Sequence, residues 1–162
     1  TASLSDARLG SSSVAISGNY AYVTGASEGI VVINPGNPTG AVLDRKTVQE
    51  VIAFAKEKGL VIIADEVYQD NVYGAKFISF ASMLGPESVP LFSLHSISKG
   101  YYGECGHRGG YLEIRNTPHI PGTGLTFTDL VLKQASVNIC SNTVGQLLMY
   151  LMVCPPGWFI GI

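Results

Sequence analysis

Two kinds of apolar spacing alternate along the chain. The runs "IVVIN" at 30–34, "LVIIA" at 60–64 and "VPLFSLHS" at 89–96 are compact and aliphatic, and each is followed by polar or turn-forming residues. Runs of this length read as buried strands. Between the first two, Val48, Val51, Ile52 and Ala55 recur at i, i+3, i+4 and i+7, the stripe of an amphipathic helix. Asp44 is a good N-cap, with Leu43 and Val48 at hydrophobic-staple positions. Lys56 and Lys58 suit the negative end of the helix dipole, and Gly59 is a C′ residue. Strand, helix, strand at this spacing predicts a βαβ unit with parallel strands. "GYLEI" at 110–114 is a further strand candidate and "NYAYVTG" at 19–25 a short one. "TVGQLLMYLMV" at 143–153 reads as a buried helix, with Thr143 and Gln146 at capping-box spacing. Residues 1–18 are small and polar and read as a loose lead-in. The expectation is an α/β fold, a mostly parallel sheet flanked by helices, with 1–24 as lead-in and short strand and 25–162 as the domain.

Composition narrows the function classes. At 162 residues the chain can bury one core. A net charge of −2 gives no footprint for nucleic acid. Only 14% of residues are charged against 46% apolar, a thin polar surface that suggests cover by more protein. Cys105, Cys140 and Cys154 form no CxxC pattern, as expected for free thiols in a reducing compartment. His95, His107 and His119 have no metal-ligand spacing. The run "LLMYLMV" is far shorter than the roughly 20 residues a bilayer needs, so no membrane role is expected. No secretory leader is evident, and a start at Thr1 suggests a piece of a longer protein.

Three polar residues, Asn37, Asp65 and Lys99, stand at or just past the C-terminal ends of the predicted parallel strands. Ligands bind at that edge in open α/β sheets. A dinucleotide site is one reading, because "VTGASEGI" looks like the cofactor turn of short-chain dehydrogenases. Two features oppose it. The last glycine position of that pattern is Val31, and a strand run follows where a helix is needed. None of the six lysines has a tyrosine four residues before it.

"NPGNPTG", "ADEVYQD" and "SISKGYYGECGHRGG", in this order and at this separation, resemble the class I aminotransferases of fold type I, and most closely the alanine aminotransferase branch. The resemblance runs from about Gly25 to Pro118 and more weakly through "SVNICSNTVGQ". It implies pyridoxal 5′-phosphate as cofactor and transfer of an amino group between L-alanine and 2-oxoglutarate. By the same resemblance Lys99 is the Schiff-base lysine and the base that moves the substrate α-proton. Asp65 matches the carboxylate that keeps the cofactor ring nitrogen protonated. Asn37 and Tyr68 match the two donors to its phenolic oxygen. Ser96 and Arg108 match phosphate ligands, Ser98 adds a hydroxyl, and an arginine fork suits phosphate. "TGAS" resembles the phosphate loop, assigning Gly25, Ala26 and Ser27. Arg108 is nine residues past Lys99. Many class I members have eight, and the extra residue is the alanine aminotransferase pattern.

Each residue also has a plain role available: Asp65 as a turn residue, Lys99 as solvated surface, the Pro-Gly-Asn-Pro run as a turn, Arg108 as an ion-pair partner. It is their conjunction that is specific. Where the family has a long segment between the phosphate loop and "NPGNPTG", this chain has almost none, which implies internal shortening near 28–31. The family's small domain, with the arginine for the substrate carboxylate, has no counterpart in this sequence, and losing that clamp is expected to cut the rate severely. The expected partners are small amino-acid and 2-oxo-acid substrates, with no nucleic acid and no membrane, in a homodimer of the cytoplasm or mitochondrion. The alternatives are another class I enzyme, such as a C–S lyase, or a non-catalytic remnant or partner subunit.

Overall fold

The computed structural model describes residues 13–17, 20–25, 29–85, 88–100 and 102–157. Its centre is one six-stranded sheet in sequential order: β1 (Ser13–Ser17), β2 (Tyr20–Gly25), β3 (Gly29–Ile33), β4 (Val61–Asp65), β5 (Leu91–Ser96) and β6 (Gly110–Arg115). β3, β4 and β5 are mutually parallel, whereas β1, β2 and β6 join antiparallel. The parallel centre arises from the crossovers, which return the chain to the same end of the sheet. The two- and three-residue links from β1 to β2 and from β2 to β3 can only reverse the chain, whereas β6 turns back after the longer loop that carries Lys99 and Arg108.

Helix α1 (Arg45–Lys58) forms as its pattern predicts. Asp44 accepts from the Thr47 amide at 2.7 Å, and Gly59 closes the helix at φ 65°. Val48, Val51 and Ala55 are buried against the sheet, and Ile52 packs at their margin. Alternation along the strands puts Ile30, Val32, Ile62, Ala64 and Leu91 on that same face. With Leu43, Leu60, the short helix α2 (Phe80–Met83) and Val89 they make the core.

The opposite face is more open. Val31, Ile63, Phe92 and Leu112 line a cavity of about 640 Å³ bordered by helix α3 (Phe127–Ala135), whose Phe127 meets Phe92 edge-on at 5.5 Å. Helix α4 (Thr143–Val153) crosses the segment before β6. There Gly109 and Gly145 meet backbone to backbone: a Cβ on Gly145 would lie 3.0 Å from the Gly109 Cα and would overlap the His107 carbonyl.

Several expectations change. Ser13–Ser17, read as part of a loose lead-in, is an edge strand; "SVAIS" carries the short alternation that a strand needs. The α4 cap is Asn142, whose side chain accepts from the Gly145 amide at 3.0 Å, and not Thr143. Nor is α4 a buried helix: only Gly145 and Met149 are buried, while Val144, Leu147, Tyr150 and Val153 are exposed.

Candidate functional site

In register, Ile33 pairs with Asp65 and Asp65 with Leu94, so the three parallel strands end level with one another. The segments leaving these strands therefore gather along one edge. After β3 the chain enters a tight loop pinned by Asn34, which is fully buried. Its Oδ1 accepts from the Leu43 amide at 3.0 Å and its Nδ2 donates to the Ile78 carbonyl at 3.5 Å. Within the loop the Gly36 amide donates to Ala41 and the Gly40 amide to Gly36, both at 2.8 Å. The Asn34–Pro35 and Asn37–Pro38 peptides are cis.

Asn37 is left exposed at the tip of this loop. Its amide donates to the Tyr68 hydroxyl oxygen at 3.2 Å, across 31 residues of sequence. Tyr68 uses a lone pair there and keeps its own hydrogen as a donor. The two side chains border a cavity of about 220 Å³. Asp65 is half-buried at the end of β4, with Oδ1 accepting from the Val67 amide at 3.3 Å.

Lys99 sits in the turn after β5, and its Nζ lies 5.6 Å from the centre of the Tyr68 ring, within cation–π range. The turn is built to approach this place. Gly100 has φ 61°, and a Cβ there would stand 3.2 Å from Asp70 Oδ2 and 3.7 Å from the Val67 carbonyl. Glycine thus supplies both the left-handed backbone and the room for contact with the segment after β4.

The rest of the loop folds back on β5. Ser96 Oγ accepts from the Ser98 amide at 3.0 Å and donates to the Gly109 carbonyl at 3.2 Å. Cys105 Sγ donates to the Ser98 carbonyl at 3.3 Å, and Arg108 Nη1 donates to the Cys105 carbonyl at 2.8 Å. A hydrogen-bonded relay therefore links Ser96, Ser98 and Arg108 in one compact loop. Cys105 enters it as a thiol that organises the turn.

One part of the expected set is not brought to this edge. Gly25 ends β2 and pairs with Gly29, the first residue of β3. That is the opposite end of the sheet, roughly 13 Å from Ile33 at about 3.3 Å per residue. The physical reason is the shortness of the connection: three residues between β2 and β3 allow only a reversal, with no length for a strand-to-helix turn. Ala26 and Ser27 lie outside the described residues. Among the described residues no group of three or more His, Cys, Asp or Glu could hold a metal ion.

A profile for aminotransferase class I and II matches residues 15–153. The chain belongs to this aminotransferase family. Over 136 residues it is 48% identical to mitochondrial alanine aminotransferase 2 of Arabidopsis thaliana, a match covering 78% of this chain and 24% of that protein. Over 135 residues it is 50% identical to alanine aminotransferase 2 of Xenopus tropicalis, covering 78% and 25%. Among solved structures, alanine aminotransferase from Pyrococcus furiosus superimposes with a TM-score of 0.65 at 31% identity, covering 78% of this chain and 30% of that one. This aminotransferase chain thus spans about a quarter of the length of the curated relatives it matches. No described helix is long and apolar enough to cross a membrane.

Proposed function

We propose that this chain forms the cofactor-holding part of an alanine aminotransferase, whose complete form converts L-alanine and 2-oxoglutarate into pyruvate and L-glutamate with pyridoxal 5′-phosphate. The observation that carries the reading is the Asn37–Tyr68 contact with the Lys99 amine beside it. Three segments far apart in sequence place an amide, a phenol and an amine together at one sheet edge.

The donor set suits the cofactor. When bound, pyridoxal phosphate supplies an electron sink and a carrier for the amino group. Asp65 would hold a proton at the ring nitrogen by opposite charge. Asn37 and Tyr68 would donate to the phenolic oxygen, which explains two neutral donors converging on one exposed point. Lys99 Nζ would take the substrate α-proton and return one to the product side. Ser96, Ser98 and Arg108 would hold the phosphate, with Arg108 giving up its bond to the Cys105 carbonyl. Gly25, paired with Gly29 at the other end of the sheet, has no place in this site. The substrates are a small amino acid and a 2-oxo acid, and the complete enzyme is a homodimer. Its compartment is the cytosol or mitochondrion, and the mitochondrial relative from Arabidopsis thaliana is consistent with the second.

A second reading, a non-catalytic remnant that binds cofactor weakly, is favoured by the three-residue link from β2 to β3, which leaves Gly25 at the far end of the sheet from Asn37 and Lys99. An absorbance spectrum with pyridoxal phosphate, before and after borohydride, tests the first step. The expected outcome is a band that borohydride fixes and that Lys99→Ala lacks. A folded circular dichroism spectrum without such a band would overturn the cofactor reading. Turnover of alanine and 2-oxoglutarate by the band-forming protein then separates enzyme from remnant.

A further inference from the structure

Next to Asp65 stands a second carboxylate with a different fate. Glu66 is fully buried, on the opposite face of the sheet from Asp65. Its Oε1 accepts from the Phe80 amide at 2.8 Å. Its Oε2 accepts from Ser79 Oγ at 2.9 Å and from Ser93 Oγ at 2.8 Å. The Glu66 amide also donates to the Leu94 carbonyl at 3.1 Å. One residue thus binds the end of β4 to β5 through both backbone and side chain, and binds both to the start of α2.

The donors form an ordered set. Ser93 Oγ gives its hydrogen to Glu66, so at 3.2 Å it accepts from Nε2–H of His95. His95 Nε2 is itself 3.8 Å from Glu66 Oε2, and the ring stacks on Tyr111 at 4.6 Å. Burial holds the imidazole pKa below its ordinary value, against the raising influence of Glu66. The carboxylate is therefore solvated by three neutral donors rather than by a permanent cation.

A buried carboxylate is a costly way to fill space, and well-packed apolar residues often serve stability as well or better. What it provides at this position is direction. Glu66 and Asp65 are consecutive, so fixing one fixes the rotation of the strand end and with it the aim of the other. On β5 the anchored Ser93 lies three residues before Ser96 and six before Lys99. We propose that Glu66 is a positioning residue of the cofactor site: its buried bonds to β5 and α2 hold Asp65 and the Lys99 turn in fixed relation on the far side of the sheet. This rests on the reading of that edge as a cofactor site.

The test compares Glu66→Ala, Glu66→Gln and Ser93→Ala with Val51→Ala, a core truncation on α1 away from the site. The first readout is amide hydrogen exchange of the chain alone. Glu66→Ala should speed exchange about tenfold at both 64–68 and 95–99, while Glu66→Gln restores it, because the serine hydroxyls can turn to accept from the amide. Val51→Ala should leave those two segments unchanged relative to the rest of the sheet. Faster exchange confined to 79–82 would make Glu66 only a cap for α2 and overturn the proposal; equal loosening by Val51→Ala would also overturn it. If Glu66→Ala does not fold, Ser93→Ala decides: loosening at 95–99 supports the proposal, and none overturns it. The second readout is pyridoxal phosphate affinity, expected to fall about tenfold in Glu66→Ala and to recover in Glu66→Gln. Absence of binding by the unaltered chain would overturn the cofactor reading and leave the exchange result to decide the positioning.

Discussion

Adjacent residues at the end of β4 have opposite tasks. Asp65 faces the open side of the sheet and is only partly buried, and Glu66 is sealed on the packed side. A motif names the first, because its role depends on chemistry at a strand end. The second is invisible to a motif, since burial depends on what α2 and β5 bring against it. His95 likewise matches no ligand spacing, yet it is buried beside Glu66. Its pKa is lowered by burial from the usual 6.5. Sign follows from linkage: the unfolded chain binds the proton more readily, so stability rises with pH. His95 thus contributes fully above about pH 6.5 and progressively less as pH falls toward its lowered folded value. His95→Phe, which keeps a ring to stack on Tyr111, should flatten the fall in urea midpoint between neutral and mildly acidic pH.

Elements with local codes form where the sequence predicts them. α1 carries its own cap, stripe and stop, and the structure keeps all three. Asp44→Ala should lower the thermal midpoint. The Asp44 carboxyl is held below its usual 3.8 chiefly by the Thr47 amide. Its contribution is present above that value and lost as pH falls through the lowered one, so the two proteins should converge in strong acid. α3 has a legible signal that the apolar pattern does not reveal: Thr126 and Asp129 form a reciprocal capping box. α2, at four residues, is too short for any periodicity. α4 shows where local reading stops, because its position depends on a glycine pair from different segments. Gly145→Ala would push a methyl into the His107 carbonyl and Gly109. It should cost about 1–3 kcal/mol by overpacking. Faster hydrogen exchange across 143–153, with α1 unaffected, would confirm that the contact docks the helix.

At the scale of the molecule, the sheet has one finished face and one open one. α1 and α2 seal the first, while the second keeps a cavity of about 640 Å³. α4 adds an apolar stripe: Val144, Leu147, Tyr150 and Val153 are 50%, 58%, 64% and 55% exposed. Contiguous exposed apolar surface of this kind promotes association. The low charged fraction of the sequence points the same way. The chain should self-associate with rising concentration in light scattering, and Leu147→Lys with Tyr150→Lys should reduce that while leaving the circular dichroism spectrum unchanged.

By itself the sequence determined what depends on neighbours along the chain. It specified the strand–helix–strand centre, the caps and stop of α1, and the residue types Asn37, Asp65 and Lys99 at strand ends, because periodicity, capping and parallel crossover act over a few turns of chain. The tertiary structure decided what depends on distant segments meeting. It put Gly25 at the far end of the sheet, since three residues can only reverse the chain. It made Ser13–Ser17 an edge strand, since pairing supplies the bonds that short segment lacks alone. It left one face of α4 open and sealed Glu66 behind the site, because burial is set by the partners that the fold brings.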